Sequence, residues 1–332
     1  MRIKVMHVGL GPIGAGVVRQ IASRKGFTIV GAVDIDPAKV GQDLGTVCGV
    51  GRKLRVKVTD DIARTIKATK PDVAVLCTSS SLKKVVPEFE AVLKLKVPIV
   101  STTEELAYPV KSNAAAAKKI DAMAKRARVA VLGTGVNPGF VMDALPIALT
   151  GVCESVTSLE IDRVQDARIR RLPFQQKIGA GLTRETFMEK VKDGSVRHVG
   201  LAESITMIAD ALGWKLDRIT DEIHPKMADE AVSSQFLKVE AGQVCGLIQD
   251  GVGYRKGQPI IKLHMEAYLG APESYDAVRV MGNPPLSMKL SGGVHGDVAT
   301  ASIVVNSIPK ILQAQPGLRT MKDMALPGFF GG

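Results

Sequence analysis

Aromatic side chains are scarce in this chain: eight Phe, four Tyr and one Trp make up 4% of 332 residues. So few rings, without interleaved cations, argue against a surface on which single-stranded nucleic acid stacks. Cysteine is scarce too. Cys48, Cys77, Cys153 and Cys245 show no paired spacing, which excludes a zinc knuckle and a disulfide framework and leaves free thiols as the expected state. No run of about 18 uninterrupted apolar residues is present, so no membrane span is expected. The first strand pattern begins at Ile3, leaving no room for a signal peptide, and a cytoplasmic protein is expected. Internal repeats and low-complexity tracts are also missing.

What is present is a chain that is 45% apolar, long enough for two domains, with a net charge of +11. The basic residues are scattered over helical patterns, as at Lys83-Lys84 and Lys118-Lys119. Only Arg168-Ile169-Arg170-Arg171 is dense. This is a solvated basic face able to draw in anions, not a nucleic-acid footprint.

The first 135 residues alternate strand and helix patterns, with strands over 3–8, 28–33, near 56, 73–77, 99–101 and 129–132, and helices over 11–24, 60–68, 83–94 and 114–126. That order calls for an α/β fold with a doubly wound parallel (Rossmann) sheet. After Ser155 the period changes to two, over 156–164, 232–240, 242–252 and 259–268, as in antiparallel strands with one solvated face. A helical insert is expected over 176–216, with helices at 183–192 and 201–212. The reading is a dinucleotide-binding domain over 1–135, a second α+β domain on a mostly antiparallel sheet over 136–300, and a C-terminal segment, 301–332, that returns to the first domain.

The most informative motif is Gly9-Leu10-Gly11-Pro12-Ile13-Gly14, directly after the first apolar run, with Asp34 closing the second run twenty residues past Gly14. Gly9 permits the tight turn, Gly11 lets backbone approach a pyrophosphate, and Gly14 lets the helix pack on its strand. Pro12 and Ile13 open the helix whose positive end faces the phosphates. A carboxylate at Asp34 accepts from a ribose 2′-hydroxyl and repels a 2′-phosphate, so NAD(H) is preferred; Lys39 nearby leaves NADP(H) open. Asp34-Ile35-Asp36-Pro37 also reads as a simple turn, with Asp36 as its cap.

In such a fold ligands bind beyond the carboxyl ends of the strands. Thr78, Ser79 and Ser80 follow the fourth strand, small enough to face the dinucleotide. Glu104 and Glu105 follow the fifth, and one of them is a usable proton acceptor. They also read as the acidic first turn of a helix capped by Thr103, and one glutamate can serve each purpose. Asn137, held extended before Pro138, offers an amide to nicotinamide or substrate. In the second domain, alternation puts Arg163 and Gln165 on the face of Ile161, and Lys262, His264 and Glu266 on one face of their strand. An arginine and a histidine so placed could close over a nicotinamide or serve only solubility. No metal set is apparent.

The stretches Thr134-Gly135-Val136-Asn137-Pro138-Gly139-Phe140, Gln175-Gln176-Lys177-Ile178-Gly179-Ala180-Gly181-Leu182, His198-Val199-Gly200-Leu201 with Glu203-Ser204, and Gly292-Gly293-Val294-His295-Gly296-Asp297-Val298-Ala299-Thr300 resemble the 2,4-diaminopentanoate dehydrogenase family, which includes native amine dehydrogenases. Its fold is related to dihydrodipicolinate reductase, whose His-His-Arg and Lys pattern this chain lacks. The resemblance implies NAD(P)-dependent oxidative deamination of a small amine or diamino acid, the reverse reductive amination of a ketone with ammonia, and a homodimer. It also implies a catalytic glutamate at Glu104, with Glu105 its neighbour, and a substrate pocket at Arg163, Gln165, His264 and Thr300. The alternatives are an alcohol or semialdehyde dehydrogenase and a non-catalytic NAD-binding regulatory protein.

Overall fold

The computed structural model describes residues 2–331. In chain order it opens with β1 (Ile3–Val8), α1 (Pro12–Ser23), β2 (Phe27–Val33), α2 (Leu44–Val47), β3 (Val58–Thr59), α3 (Ile62–Thr69), β4 (Val73–Leu76), α4 (Leu82–Leu93), β5 (Ile99–Ser101), α5 (Glu104–Ala107), α6 (Ala114–Ala127) and β6 (Ala130–Gly133). There follow α7 (Ala144–Thr150), β7 (Ser155–Asp166), α8 (Leu172–Lys177), α9 (Arg184–Lys192), α10 (Leu201–Ala211), β8 (Arg218–Met227), β9 (Val232–Ser233), β10 (Lys238–Val239), β11 (Val244–Arg255), β12 (Gln258–Tyr268), β13 (Tyr275–Asn283) and β14 (Leu286–Ser291). The chain then forms α11 (Gly296–Ile311) and β15 (Gly317–Arg319).

Two compact units result. One takes the residues up to Phe140 and those from His295 onward; the other is Val141–Val294. Where the sequence suggests a second domain over 136–300, the second unit spans 141–294. The loop after β6 stays with the first unit because Val136 N–H bonds Thr300 Oγ1 on α11 at 3.4 Å and Gly139 abuts the Gly135 backbone.

The first unit holds a seven-stranded sheet in the order β15-β6-β5-β4-β1-β2-β3, with every neighbouring pair parallel. The strand order reverses between β1 and β4, which opens a crevice at their carboxyl ends. Strands β4, β5 and β6 are buried along their whole length, as expected of strands covered on both faces. Helix α1 starts at Pro12, which fits the first helical position because its missing N–H would have had no partner there. The helix buries Gly14, Val17, Val18 and Ile21 along one stripe. Phe89, Ile120 and Ala124 pack with Met6, Leu76, Ile99 and Val131 in one core.

The second unit holds a six-stranded sheet in the order β14-β13-β7-β12-β11-β8, antiparallel except for the parallel pair β7 and β12. One face carries α10: an added side chain at Gly251 would meet Leu201 and Ile205, and one at Gly253 would meet Ile205. The other bears a lattice of ion pairs. Arg279 bonds Asp162 at 2.7 and 3.2 Å and Glu160 at 3.2 Å, while Lys262 bonds Glu160 at 3.0 Å. No helix among the described residues is long and apolar enough to cross a membrane.

Candidate active site

The three glycines of the first turn differ in their surroundings. Gly9 has φ +86°, and a Cβ there would lie 2.6 Å from the Cys77 carbonyl oxygen and 2.8 Å from Thr78 Cγ2. A Cβ on Gly14 would lie 2.0 Å from the Gly9 carbonyl oxygen and 2.8 Å from His7 Nε2. Around Gly11, by contrast, a Cβ would meet nothing within 4 Å. Two of the glycines are dictated by protein packing, and the third faces open space at the start of α1. That is the cradle an anionic pyrophosphate needs.

His7 was not anticipated from sequence. Its ring, wholly buried, donates from Nε2 to the Gly9 carbonyl at 3.1 Å, while Nδ1 has no partner among the described residues. Burial is the main cause that lowers its pKa to about 4, so the ring is neutral and braces the turn. A polar ring inside an apolar run two residues before Gly9 was the available signal. Thr134 Oγ1 and His295 Nδ1 are also buried without partners among the described residues.

Asp34 closes the crevice beside this turn. Its Oδ2 accepts from Leu10 N–H at 2.7 Å and from Lys39 Nζ at 3.1 Å, and its Oδ1 accepts from Asp36 N–H at 2.9 Å. Burial alone would raise its pKa, but those donors outweigh it and hold the carboxyl below the usual range. Asp36 caps the turn through Ala38 N–H at 3.0 Å. The turn that the sequence suggested for this stretch is thus present, held by both Asp34 and Asp36. Ile35, between the two acids, is 88% exposed; an apolar side chain flanked by carboxylates was a signal that sequence reasoning passed over.

Beyond β4, Thr78 donates to Glu88 at 2.6 Å. Ser79 Oγ accepts from Ser81 N–H at 3.2 Å, and its carbonyl accepts from Thr103 Oγ1 at 2.8 Å. The Ser80 carbonyl accepts from Glu105 N–H at 3.3 Å. The loops after β4 and β5 are thus tied together, which places Thr78, Ser79 and Ser80 beside the two glutamates.

The glutamates have different surroundings. Glu105 Oε2 accepts from Leu82 N–H at 2.8 Å, at the start of α4; Ser81 itself makes no side-chain cap there. Glu104 makes no side-chain hydrogen bond or ion pair among the described residues and is half-buried. Its charge is felt at Cys77, whose thiol is pushed up to about 12, chiefly by burial and further by Glu104. A thiol so held is not a nucleophile near neutral pH, which disfavours cysteine-based aldehyde chemistry. Asn137 is buried and joined to Pro138 by a cis peptide bond.

Within the second unit, Arg163 and Gln165 come together and His264 lies apart from them. Arg163 is 2% exposed and pairs with Asp276; its Nη2 donates to the Val294 carbonyl at 2.9 Å, and Gln165 Nε2 donates to the same oxygen at 3.2 Å. Asp276 Oδ2 accepts from Val294 N–H at 2.7 Å. These side chains clamp one residue of backbone. His264 lies on the opposite face of the sheet, because β7 and β12 pair with Met265 beside Arg163 and His264 beside Asp162. There its ring joins Asp250 at 2.7 Å and Glu266 at 2.9 Å. Burial would lower its pKa, yet these two carboxylates raise it. Thr300 belongs to the first unit. Among the described residues no three His, Cys, Asp or Glu gather as a metal site.

The 2,4-diaminopentanoate dehydrogenase C-terminal domain model matches residues 140–331, and the dihydrodipicolinate reductase N-terminal model matches residues 3–133. The 2,4-diaminopentanoate dehydrogenase of Acetoanaerobium sticklandii is 36% identical over 98% of this chain and 94% of its own length. This chain belongs to the 2,4-diaminopentanoate dehydrogenase family. It is thereby an oxidoreductase with a dihydrodipicolinate reductase-like fold. An amine dehydrogenase from Streptomyces virginiae is 21% identical over 96% of this chain and 95% of its own. The structure of amine dehydrogenase from Mycobacterium smegmatis superposes with a TM-score of 0.88 at 24% identity, covering 100% of this chain and 98% of that one, and so shares the fold.

Proposed function

We propose that this family member carries out NAD(P)-dependent oxidative deamination of a small amine or diamino acid, and the reverse reductive amination of a ketone with ammonia. The observation that carries the assignment of the base is the division between the two glutamates: Glu105 is committed to the start of α4, and Glu104 has no hydrogen-bond or ion-pair partner among the described residues.

The open space at Gly11 and the carboxylate of Asp34 suit a dinucleotide. Gly11, Pro12 and Ile13 would hold its pyrophosphate, Asp34 a ribose hydroxyl, and exposed Ile35 the adenine face. Thr78, Ser79, Ser80 and Asn137 would line its other half. When bound, the nicotinamide accepts a hydride from the carbon bearing the amine. Glu104 takes a proton from the substrate ammonium, so that the free amine can release that hydride. It later activates the water that converts the iminium to ketone and ammonia. Asp34 favours NAD(H), and its existing bond to Lys39 keeps that cation from offering itself freely to a 2′-phosphate. A homodimer belongs to the same proposal, to be checked by light scattering.

The test is NADH oxidation with small ketones, with and without ammonium. Turnover that requires ammonium supports the reading. Equal turnover without it would assign alcohol chemistry, and tight NADH binding without turnover would assign a sensor.

A further inference from the structure

Within the first unit, Arg19 on α1 and Arg52 in the loop after α2 each brace the other's element. Arg19 Nη1 donates at 2.8 Å to the carbonyl of Cys48, the residue that closes α2. Arg52 Nη2 donates at 3.1 Å to the carbonyl of Ala22, in the last turn of α1. Between them lies a cavity of about 200 Å³, lined by Arg19, Ala22, Ser23, Val50 and Arg52. Its walls are joined from beneath, because Val50 packs against the core that holds Val18, Leu44 and Cys48.

Charge and donor supply specify the ligand. A guanidinium carries five N–H donors and stays protonated; each of these two spends one N–H on a carbonyl and forms no ion pair among the described residues. No carboxylate lines the cavity. Asp43, the acid of this loop, is taken up by backbone: it accepts from Gly45, Leu54 and Arg55 N–H at 2.9, 3.0 and 2.7 Å. It orders the loop and leaves the side chains of Arg52, Lys53 and Arg55 uncompensated. The α1 carbonyls that would repel an anion are at the negative end of a helix with no basic residue in its own last turn, and Arg52 supplies that cation from the loop.

Two fixed forks with free N–H groups match a tetrahedral dianion better than a carboxylate, which one fork satisfies. The volume is below the roughly 300–1,000 Å³ of sites for drug-sized ligands, so it takes a phosphate group and little more. Arg19 and Ala22 lie seven and ten residues past Pro12, roughly 10 and 15 Å along the helix at its ordinary rise. The cavity is therefore separate from the cradle at Gly11.

We propose that this cavity binds a phosphate dianion, free or as a monoester, through the unused N–H groups of Arg19 and Arg52. The ligand ties α1 to the loop after α2 and stabilises the first unit. The proposal is independent of the deamination reading.

The test titrates inorganic phosphate into the full chain at constant ionic strength, followed by titration calorimetry and by Tm. The wild-type chain is expected to bind with a Kd in the millimolar range, as for a few charge-assisted bonds near the surface. Its Tm rises with phosphate by mass action, while acetate leaves it unchanged. Arg19→Gln and Arg52→Gln each weaken binding about 10- to 100-fold, and Arg19→Lys, which keeps the charge and loses the fork, recovers part of it. Each variant gives up one bond to a carbonyl, so its Tm without phosphate falls by about 4 °C at most. Glycerol 3-phosphate separates the two sources: affinity equal to that of inorganic phosphate assigns a monoester, and a preference for inorganic phosphate assigns the free ion; both uphold the site. Gly11→Ala is the control for the cradle. Binding that is lost in Gly11→Ala and kept in both arginine variants would overturn the assignment, as would a wild-type chain that shows neither heat nor a Tm shift in phosphate up to about 50 mM.

Discussion

Gly11→Ala separates cofactor binding from folding. The residue has φ −69° and ψ −178°, an extended conformation open to any side chain, and its added methyl would meet no protein atom within 4 Å. Alanine at a compatible glycine site stabilises by about 0.4–1 kcal/mol through the unfolded chain, so Tm should hold or rise by about 1–4 °C. The same methyl fills the space left for the pyrophosphate. Losing one hydrogen bond to a charged group, about 1.5–3 kcal/mol, weakens NADH binding roughly 10- to 150-fold. Calorimetry gives the first quantity and fluorescence titration with NADH the second. Gly14→Ala is the contrast: its methyl would sit 2.0 Å from the Gly9 carbonyl oxygen, and overpacking of about 1–3 kcal/mol or more should lower Tm. A Gly11→Ala protein that binds NADH within twofold of wild type, or that loses stability, would refute the reasoning.

Glu104→Gln should lower kcat by roughly a hundred- to ten-thousand-fold with NADH titration little changed; Glu105→Gln should instead cost about 1 kcal/mol of stability through the start of α4, read by urea unfolding. Asp276→Asn strips the buried Arg163 of its counter-charge and should destabilise by about 3–5 kcal/mol, visible in the same unfolding curve. His7 and His198, with pKa values lowered to about 4 and about 3, stay neutral in the folded chain while the unfolded chain takes up protons below about 6.5. Stability should therefore be full above pH 6.5 and fall on acidification toward pH 4, by roughly 1.4 kcal/mol per pH unit for each ring. His198→Gln should remove one share of that slope in urea unfolding between pH 4.5 and 6; an unaltered slope would contradict it. Asp34→Asn removes a repulsive charge and should raise use of NADPH relative to NADH at least about tenfold, measured as a kcat/KM ratio.

The nucleotide-binding unit was legible because its signals are local: a glycine turn follows an apolar run, and helices repeat at 3.6 residues. Its seventh strand was not, since Gly317–Arg319 is three residues long and owes its place to β6. In the second unit the edge strand β8 carries polar residues on both faces and a proline, Pro225; a sheet edge tolerates both, whereas a period-two search does not see them. The stretch 232–240 was expected as one strand, but Ser234 Oγ accepts from Phe236 and Leu237 N–H at 3.1 Å each and turns it into the hairpin of β9 and β10. Strands β13 and β14 were also missed. Alternation gave the face of Arg163 and that of His264 along each strand, yet only the pairing of β7 with β12 decides that the two faces are opposite. The different surroundings of Glu104 and Glu105 were equally closed to residue patterns, because the bond between Leu82 and Glu105 joins positions more than twenty residues apart.

The split of the nucleotide-binding unit across the chain has a consequence for biosynthesis. A ribosome releases β1 to β6 early, but α11 and β15, which complete that unit, emerge only after the whole of Val141–Val294 has been made. The inserted sheet can mature as a unit while the parallel sheet still lacks its edge strand β15 and the helix α11, so newly made chains should gain the ability to hold a dinucleotide last.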